Sequence, residues 1–307
     1  MTDARKSFAD IAKECNLTTA AICDRFTRLQ KAGIIIGSTI QVNHKAMGHK
    51  AICNVQVNVD QREATQVIEF IKKLPYHTTL IALLPNNSIN LVAGLNDISE
   101  VSKFKESIKR NKSVADVKVE VWSDVKNMPE KLEISENSTV ETENNVTLRE
   151  DHKATYELDE IDRQLIDKLL NDSRQPFGKI AKEIGTSLNT VSRKYKRLTE
   201  NGIIRPTIQL NLPKLGYYAV VVFPIVFGSD VERNEVIRQL FKIKDSFLMI
   251  KTSGEFDLFA FIMVKDINQL LKAQKQVSET HGISKMDMKI FPVLVPWPAA
   301  GEFISTF

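Results

Sequence analysis

One internal repeat constrains this chain more than any other feature. Phe8-Ala9-Asp10-Ile11-Ala12-Lys13-Glu14 returns as Phe177-Gly178-Lys179-Ile180-Ala181-Lys182-Glu183. The register then continues without a gap. Ile22, Phe26, Arg28, Leu29, Gly33, Ile34 and Ile35 match Val191, Tyr195, Arg197, Leu198, Gly202, Ile203 and Ile204. After one dropped residue, Thr39-Ile40-Gln41-Val42-Asn43 matches Thr207-Ile208-Gln209-Leu210-Asn211, and Gly48 matches Gly216. Two copies of one unit of roughly 120–150 residues account for a 307-residue length, about twice a common domain.

Between the copies, residues 123–157 hold Ser135-Glu136-Asn137-Ser138-Thr139 and Glu141-Thr142-Glu143-Asn144-Asn145, with few bulky apolar residues. Such a composition cannot bury enough surface to offset chain entropy, so a flexible linker is expected there. The formal charge of +4 divides unevenly: net +5 over 1–122, −5 over 123–157 and +4 over 158–307. Two basic units flanking an acidic connector point to a polyanionic partner.

Other classes are excluded by what the chain lacks. No run approaches the roughly 18 apolar residues of a membrane span, and no apolar stretch follows Met1-Thr2-Asp3-Ala4-Arg5-Lys6 as a secretion signal would require. Cys15, Cys23 and Cys53 form no CxxC pair and are expected to be buried free thiols in a reducing cytoplasm. The five histidines are scattered, so neither a metal site nor another cofactor is expected. No GxxxxGK[ST], GxSxG or HExxH motif occurs, which argues against an enzyme of those classes.

Each copy opens with helices. In the second, Ile161, Leu165, Ile166, Leu169 and Leu170 form one apolar face behind Asp159, a plausible N-cap, and Asp162 in the first turn. A short helix over 177–184 follows, then the turn Gly185-Thr186, then a helix capped by Ser187 and ended by Gly202. This spacing predicts a helix-turn-helix. Val191, Tyr195 and Leu198 would face its core. Ser187, Asn189, Thr190, Ser192, Arg193, Lys194, Lys196 and Arg197 would face double-stranded DNA, Arg and Asn on base edges, Lys and Ser on phosphates. Residues 203–209 are β-branched enough for a small wing hairpin. In the first copy only Arg25 and Arg28 play the basic part, with Asp24 between them.

The rest of each copy follows a βαββαβ pattern, the ferredoxin-like arrangement. In copy two the strands are 219–227, 246–252, 257–264 and 285–292, with helices over 231–241 and 267–281. Copy one repeats the order with strands near 51–59, 78–84, 89–95 and 114–122 and helices over 63–74 and 98–111. The fold class is α+β: two tandem helix-turn-helix and ferredoxin-like pairs, divided as 1–43, 44–122, 123–157, 158–211 and 212–307. Val220–Phe227 and Leu258–Val264 are apolar at nearly every position. Helices cover one face of such a sheet, so the other face is expected to bury against a second sheet, of the same chain or another.

These residues resemble the leucine-responsive regulatory protein / asparagine regulator (Lrp/AsnC) family of prokaryotic transcription regulators. Leu158–Ile166 is similar to its opening helix, Asp172-Ser173-Arg174 to its D-x-R step, and Ser187–Leu198 to its recognition helix, with Lys194 where the family usually has Arg. Gly202-Ile203-Ile204 and Leu215-Gly216 resemble its wing and domain junction, and Gly254-Glu255-Phe256-Asp257 its sensor-domain turn. The resemblance implies homo-oligomers paired through the ferredoxin-like sheets and an amino-acid effector at those interfaces. Gly254, expected at positive φ, and Asp257 are the effector residues so implied. Copy one departs from the pattern: its opening helix has no counterpart ahead of Asp3, and Asn87 and Asn90 replace the turn's Gly and Asp. Either the given start is late or this half has drifted toward a structural role.

The leading expectation is a cytoplasmic, sequence-specific DNA-binding regulator without catalytic residues. One alternative is a fused siroheme-decarboxylase-like enzyme, which would need His and Arg clustered where copy two has Gly216-Tyr217-Tyr218-Ala219 and copy one has His44 and His49. The other is an oligomeric scaffold that reads no DNA.

Overall fold

The computed structural model describes residues 3–43, 48–60, 62–84, 88–127 and 157–301. His44, Asn87 and the bulk of the acidic segment, 128–156, lie outside the described residues. The chain begins with α1 (Phe8–Glu14), α2 (Thr19–Lys31) and β1 (Ile35–Val42). It continues through β2 (Ala51–Val59), α3 (Ala64–Lys72), β3 (His77–Leu84), β4 (Ser88–Leu95), α4 (Glu100–Lys109) and β5 (Val114–Asn127). The second half comprises α5 (Glu160–Asn171), α6 (Phe177–Glu183), α7 (Leu188–Glu200), β6 (Ile204–Leu210) and a 3-10 turn at Leu212–Leu215. It ends with β7 (Ala219–Phe227), α8 (Arg233–Phe241), β8 (Ser246–Ser253), β9 (Leu258–Val264), α9 (Ile267–Ser278), β10 (Ile283–Met286) and β11 (Lys289–Pro292). The segment expected to leave regular structure at Ser123 instead stays in β5 to Asn127, because those residues have a partner strand far along the chain.

The main sheet runs β10-β7-β9-β8-β5-β2-β4-β3. Each half of that order is the ferredoxin-like one, with both helices of the half on one face. Cys53, Val55, Val57, Leu91, Phe104 and Ile108 pack the first helix-covered core, and Val221, Phe223, Ile225, Ala260 and Leu240 the second. Burying a phenylalanine such as Phe104 or Phe223 completely contributes about 1.5–3 kcal/mol.

The helix-free faces of the two halves bury against each other as expected, and a strand pairing joins the halves besides. β5 and β8 pair antiparallel, with Trp122 opposite Thr252 and Val125 opposite Ile250, so the two sheets become one through a hydrogen-bonded edge. Beside that seam the helix-free faces meet in an apolar cluster of Ile52, Val92, Val125, Val222, Ile250, Phe256 and Phe259.

Two further expectations are corrected. The final strand is two pieces, β10 and β11, pairing with β7 on either side of Pro224. Proline has no N–H to give to the ladder; its carbonyl alone is used, accepting from Asp287 N–H at 2.9 Å. The wing of the second copy is no hairpin. Among the described residues β6 pairs with no strand of the second half; it runs antiparallel to β1 of the first half. Thr39 sits opposite Thr207, Ser38 opposite Ile208 and Ile40 opposite Pro206. Because the repeat equates Thr39 with Thr207, this register places a local two-fold axis between them.

Candidate nucleic-acid interface

The helix-turn-helix of the second half is built from strong local signals. Asp159 caps α5 with its carboxylate on Asp162 N–H at 2.9 Å, and Asp162 returns a contact to Asp159 N–H at 3.1 Å, a reciprocal capping box. Between α6 and α7, Gly185 adopts φ +69°, a left-handed conformation that favours glycine. Ser187 then caps α7 by accepting from Thr190 N–H at 3.1 Å.

Along α7, Val191 and Leu198 are fully buried, and the Tyr195 ring packs 4.9 Å from that of Phe177. Burial pushes the Tyr195 phenol up to about 12. The outward face presents Ser187, Asn189, Ser192, Arg193, Lys196 and Arg197, all exposed, with Thr190 half-buried beside its cap. Lys196 lies 3.7 Å from Glu200, one turn on.

Lys194 is not on that face. Its residue is 8% exposed, and its ammonium lies between the carboxylates of Asp159 and Asp162, 3.0 Å from Asp162 Oδ2. The lysine beside it, with the Asp162 backbone N–H, holds the Asp159 carboxyl down at about 2. Asp162 is itself completely buried. Lys194 therefore pins α7 to the start of α5, and the expectation that it touches DNA is corrected. The spacing carried this signal: Lys194 stands three residues after Val191 and four before Leu198, inside the buried stripe rather than opposite it.

The corresponding helices of the first half offer a thinner platform. Thr18 caps α2, Arg25 is exposed, and Arg28 is paired with Asp24 at 3.0 Å, both side chains in solvent. α5 packs against β1 of this copy, which has no opening helix of its own among the described residues. The helical units of the two halves are instead joined by an exchange of arginines. Arg5 stacks over the Phe177 and Tyr195 rings of the second copy at 4.0 and 5.3 Å and donates to the carbonyls of Ser173 and Gln175. Reciprocally, Arg174 lies over Phe8 and Phe26 of the first copy at 5.1 and 5.4 Å and donates to Ala4 O. The signal available was the repeated arginine followed three residues later by a repeated phenylalanine, Arg5–Phe8 and Arg174–Phe177.

Gly254 is exposed at an ordinary φ, which corrects the expectation of a positive one. Asp257 is spent on the fold: its Oδ2 accepts from Phe227 N–H at 2.9 Å and ties β9 to the end of β7. The residues between them, Glu255 and Phe256, line a cavity of 580 Å³ between the helix-free faces of the two halves. Trp297 also lines it, while its backbone exchanges two hydrogen bonds with Leu210 at the end of β6, 2.8 and 3.0 Å long. The segment around Trp297 thus joins the cavity rim to the β1–β6 strand pair. Of the thiols, only Cys53 is buried, pushed up to about 11 by desolvation; Cys15 is exposed and Cys23 half-buried.

Comparison with known proteins follows the same division of the chain. Residues 158–199 match the AsnC-type helix-turn-helix domain. An uncharacterised helix-turn-helix-type transcriptional regulator of Pyrococcus horikoshii is 28% identical over 153 residues, 50% of this chain and 97% of the relative. The helix-turn-helix-type transcriptional regulator FL11 of Pyrococcus abyssi is 29% identical over 113 residues, 37% of this chain and 75% of FL11. Among solved structures, the siroheme decarboxylase NirDL, crystallised with an iron-uroporphyrin III analogue, superposes with a TM-score of 0.59 at 16% identity. That superposition covers 95% of this chain and 86% of NirDL, a likeness of fold. No helix among the described residues is long and apolar enough to cross a membrane.

Proposed function

We propose that this chain is a sequence-specific DNA-binding transcription regulator carrying two helix-turn-helix heads held at a fixed spacing in one polypeptide. One observation carries the reading: the AsnC-type helix-turn-helix at 158–199 presents Asn189, Ser192, Arg193, Lys196 and Arg197 together on the exposed side of α7. Ser187 and Thr190 flank them at the helix start, where backbone N–H groups and the dipole favour a phosphate. The arginines suit guanine edges and Asn189 suits adenine. Arg25 and Arg28, the latter offset by Asp24, suit backbone contact by the first head.

That both heads descend from one duplicated unit is supported by three things. The sequence repeat equates Thr39 with Thr207, which face each other in the β1–β6 register, and it equates Arg5 and Phe8 with Arg174 and Phe177, whose contacts are reciprocal. A nearly whole relative also aligns with half of this chain. An operator with two unlike half-sites follows. The edges β10/β11 and β3 end the main sheet, and self-association through these ferredoxin-like sheets completes the proposal.

Footprinting on DNA upstream of the chain's own reading frame, with the wild type and two double variants, tests the reading. Arg193→Ala with Arg197→Ala abolishes the specific footprint, while Arg25→Ala with Arg28→Ala weakens it without moving it. Equal losses would show equivalent arms. No salt-dependent binding by the wild type overturns the proposal.

The likeness to NirDL over nearly the whole chain supports a second reading, a tetrapyrrole carboxy-lyase. The described lining of the cavity has neither histidine nor arginine, which favours the regulator. Visible spectra after tetrapyrrole addition separate the two, since only the enzyme shifts and converts the pigment.

A further inference from the structure

The walls of the 580 Å³ cavity differ in chemistry, and the difference follows from strand registers. On the first half, Asn54 and Gln56 of β2 point away from the helix-covered core, as do Asn90 of β4 and Lys118 and Glu120 of β5. Pairing aligns them in cross-strand rows: Asn90–Gln56–Lys118 is one, and Val92–Asn54–Glu120 the next. All three carboxamides are half-buried, and among the described residues none has a side-chain hydrogen bond to another group. Facing them across the cavity, the second half contributes Phe256, Phe259, Phe261 and Phe291. Trp122 and Trp297 also line it, as do the charged Glu255 and Lys289 of the second half.

A ligand that satisfies both walls has an apolar, flat body to lie on the rings and an edge carrying adjacent donor and acceptor for the carboxamides. Carboxamides pair in that bidentate way with the edge of a nucleobase, and aromatic side chains stack on bases of any identity. The volume lies in the range that holds a small organic molecule. A purely apolar ligand would leave the amide row without partners, and the lining's charges balance, Lys118 and Lys289 against Glu120 and Glu255, so they call for no net charge on the ligand. We infer that this cavity binds a neutral nitrogen heteroaromatic of the nucleobase type, stacked on the second half's aromatic wall and held at its edge by Asn54, Gln56 and Asn90. The inference concerns the cavity alone, and its test contains no DNA, so it and the proposed operator binding stand or fall separately.

The protein carries its own reporter, because Trp122 and Trp297 are its two tryptophans and both line the cavity. Titrating the full chain with adenine, hypoxanthine and uracil while following tryptophan emission is expected to give a saturable change at one equivalent per chain for at least one base. Trp122→Phe and Trp297→Phe should each remove part of that signal. Gln56→Ala and Asn90→Ala are each expected to weaken the binding by about tenfold, the loss of one bidentate contact, with unchanged circular dichroism. The absence of any saturable change in the wild type overturns the inference. So does an equal response to toluene, or a response to phenylalanine and leucine with all three bases silent. Affinity unaltered in both alanine variants overturns it as well.

Discussion

Replacing Lys194 by methionine keeps a stem of similar length in α7 but deletes the ammonium that Asp159 and Asp162 share. Asp162 is completely buried, so its carboxylate would lose its counter-charge in a place water does not reach. Removing one partner of a buried pair costs about 3–5 kcal/mol. The Asp159 side chain is 56% exposed and recovers solvation, which puts the expected loss at the lower end, about 3 kcal/mol. Hydrogen exchange resolves the helix-turn-helix from the sheets, and the amides of α5 and α7 should exchange about a hundredfold faster. Those of β7 and β9 should not change. Since Lys194 faces inward, the variant's DNA affinity, measured where it remains folded, should keep the wild-type slope against salt. Arg193→Ala gives the converse pattern, with unchanged exchange and a slope shallower by about 0.9. If Lys194→Met instead flattened the salt dependence and left α7 exchange alone, the lysine would be a phosphate contact and the inward placement would be wrong.

Other consequences can be checked on the same protein. The Asp159 carboxyl is held at about 2 against an ordinary 3.8, a lowered folded-state value, so its contribution is complete above about pH 4 and fades as pH falls toward 2. Melting of α5 and α7 followed across that window should show a loss that Lys194→Met largely removes. Arg174→Ala, or Arg5→Ala, deletes a stacked cation and carbonyl contacts between the heads and should cost about 1–3 kcal/mol in urea unfolding. No change in either variant would mean that the arginine exchange does not hold the heads together. Val125→Asp puts a charge into the buried seam of β5 and β8; a lower melting temperature and red-shifted emission from neighbouring Trp122 are expected, at unchanged mass in light scattering. Unaltered emission would place the joint between the halves elsewhere.

Much of this was open to a reader of the sequence because the signals are local. Caps at Ser7, Thr18, Asp159 and Ser187 lie within three residues of the groups they bond. Alternation in β2 announces one dry face and one polar face. The repeat shows the same order of elements twice. Lys194 has the charge of a DNA contact but the helical position of a core residue, and position decides its place. What makes its burial tolerable, the pair Asp159 and Asp162, lies more than 30 residues earlier and on another helix.

Composition, periodicity and capping determined the helices, the strands and their faces, since each depends on neighbours within a few residues. Pairing between the halves had no such local signature. β1 chose β6 in place of a hairpin, β5 ran on to meet β8, and Arg5 and Arg174 crossed to opposite heads, each over a sequence distance of more than 120 residues. The cavity is further still from local reach, because neither wall encodes it alone. A row of carboxamides on one half becomes a recognition surface only when the seam of β5 and β8 turns the phenylalanines of the other half toward it, and that seam is a property of the folded chain, where unpaired edges and exposed apolar faces are satisfied together.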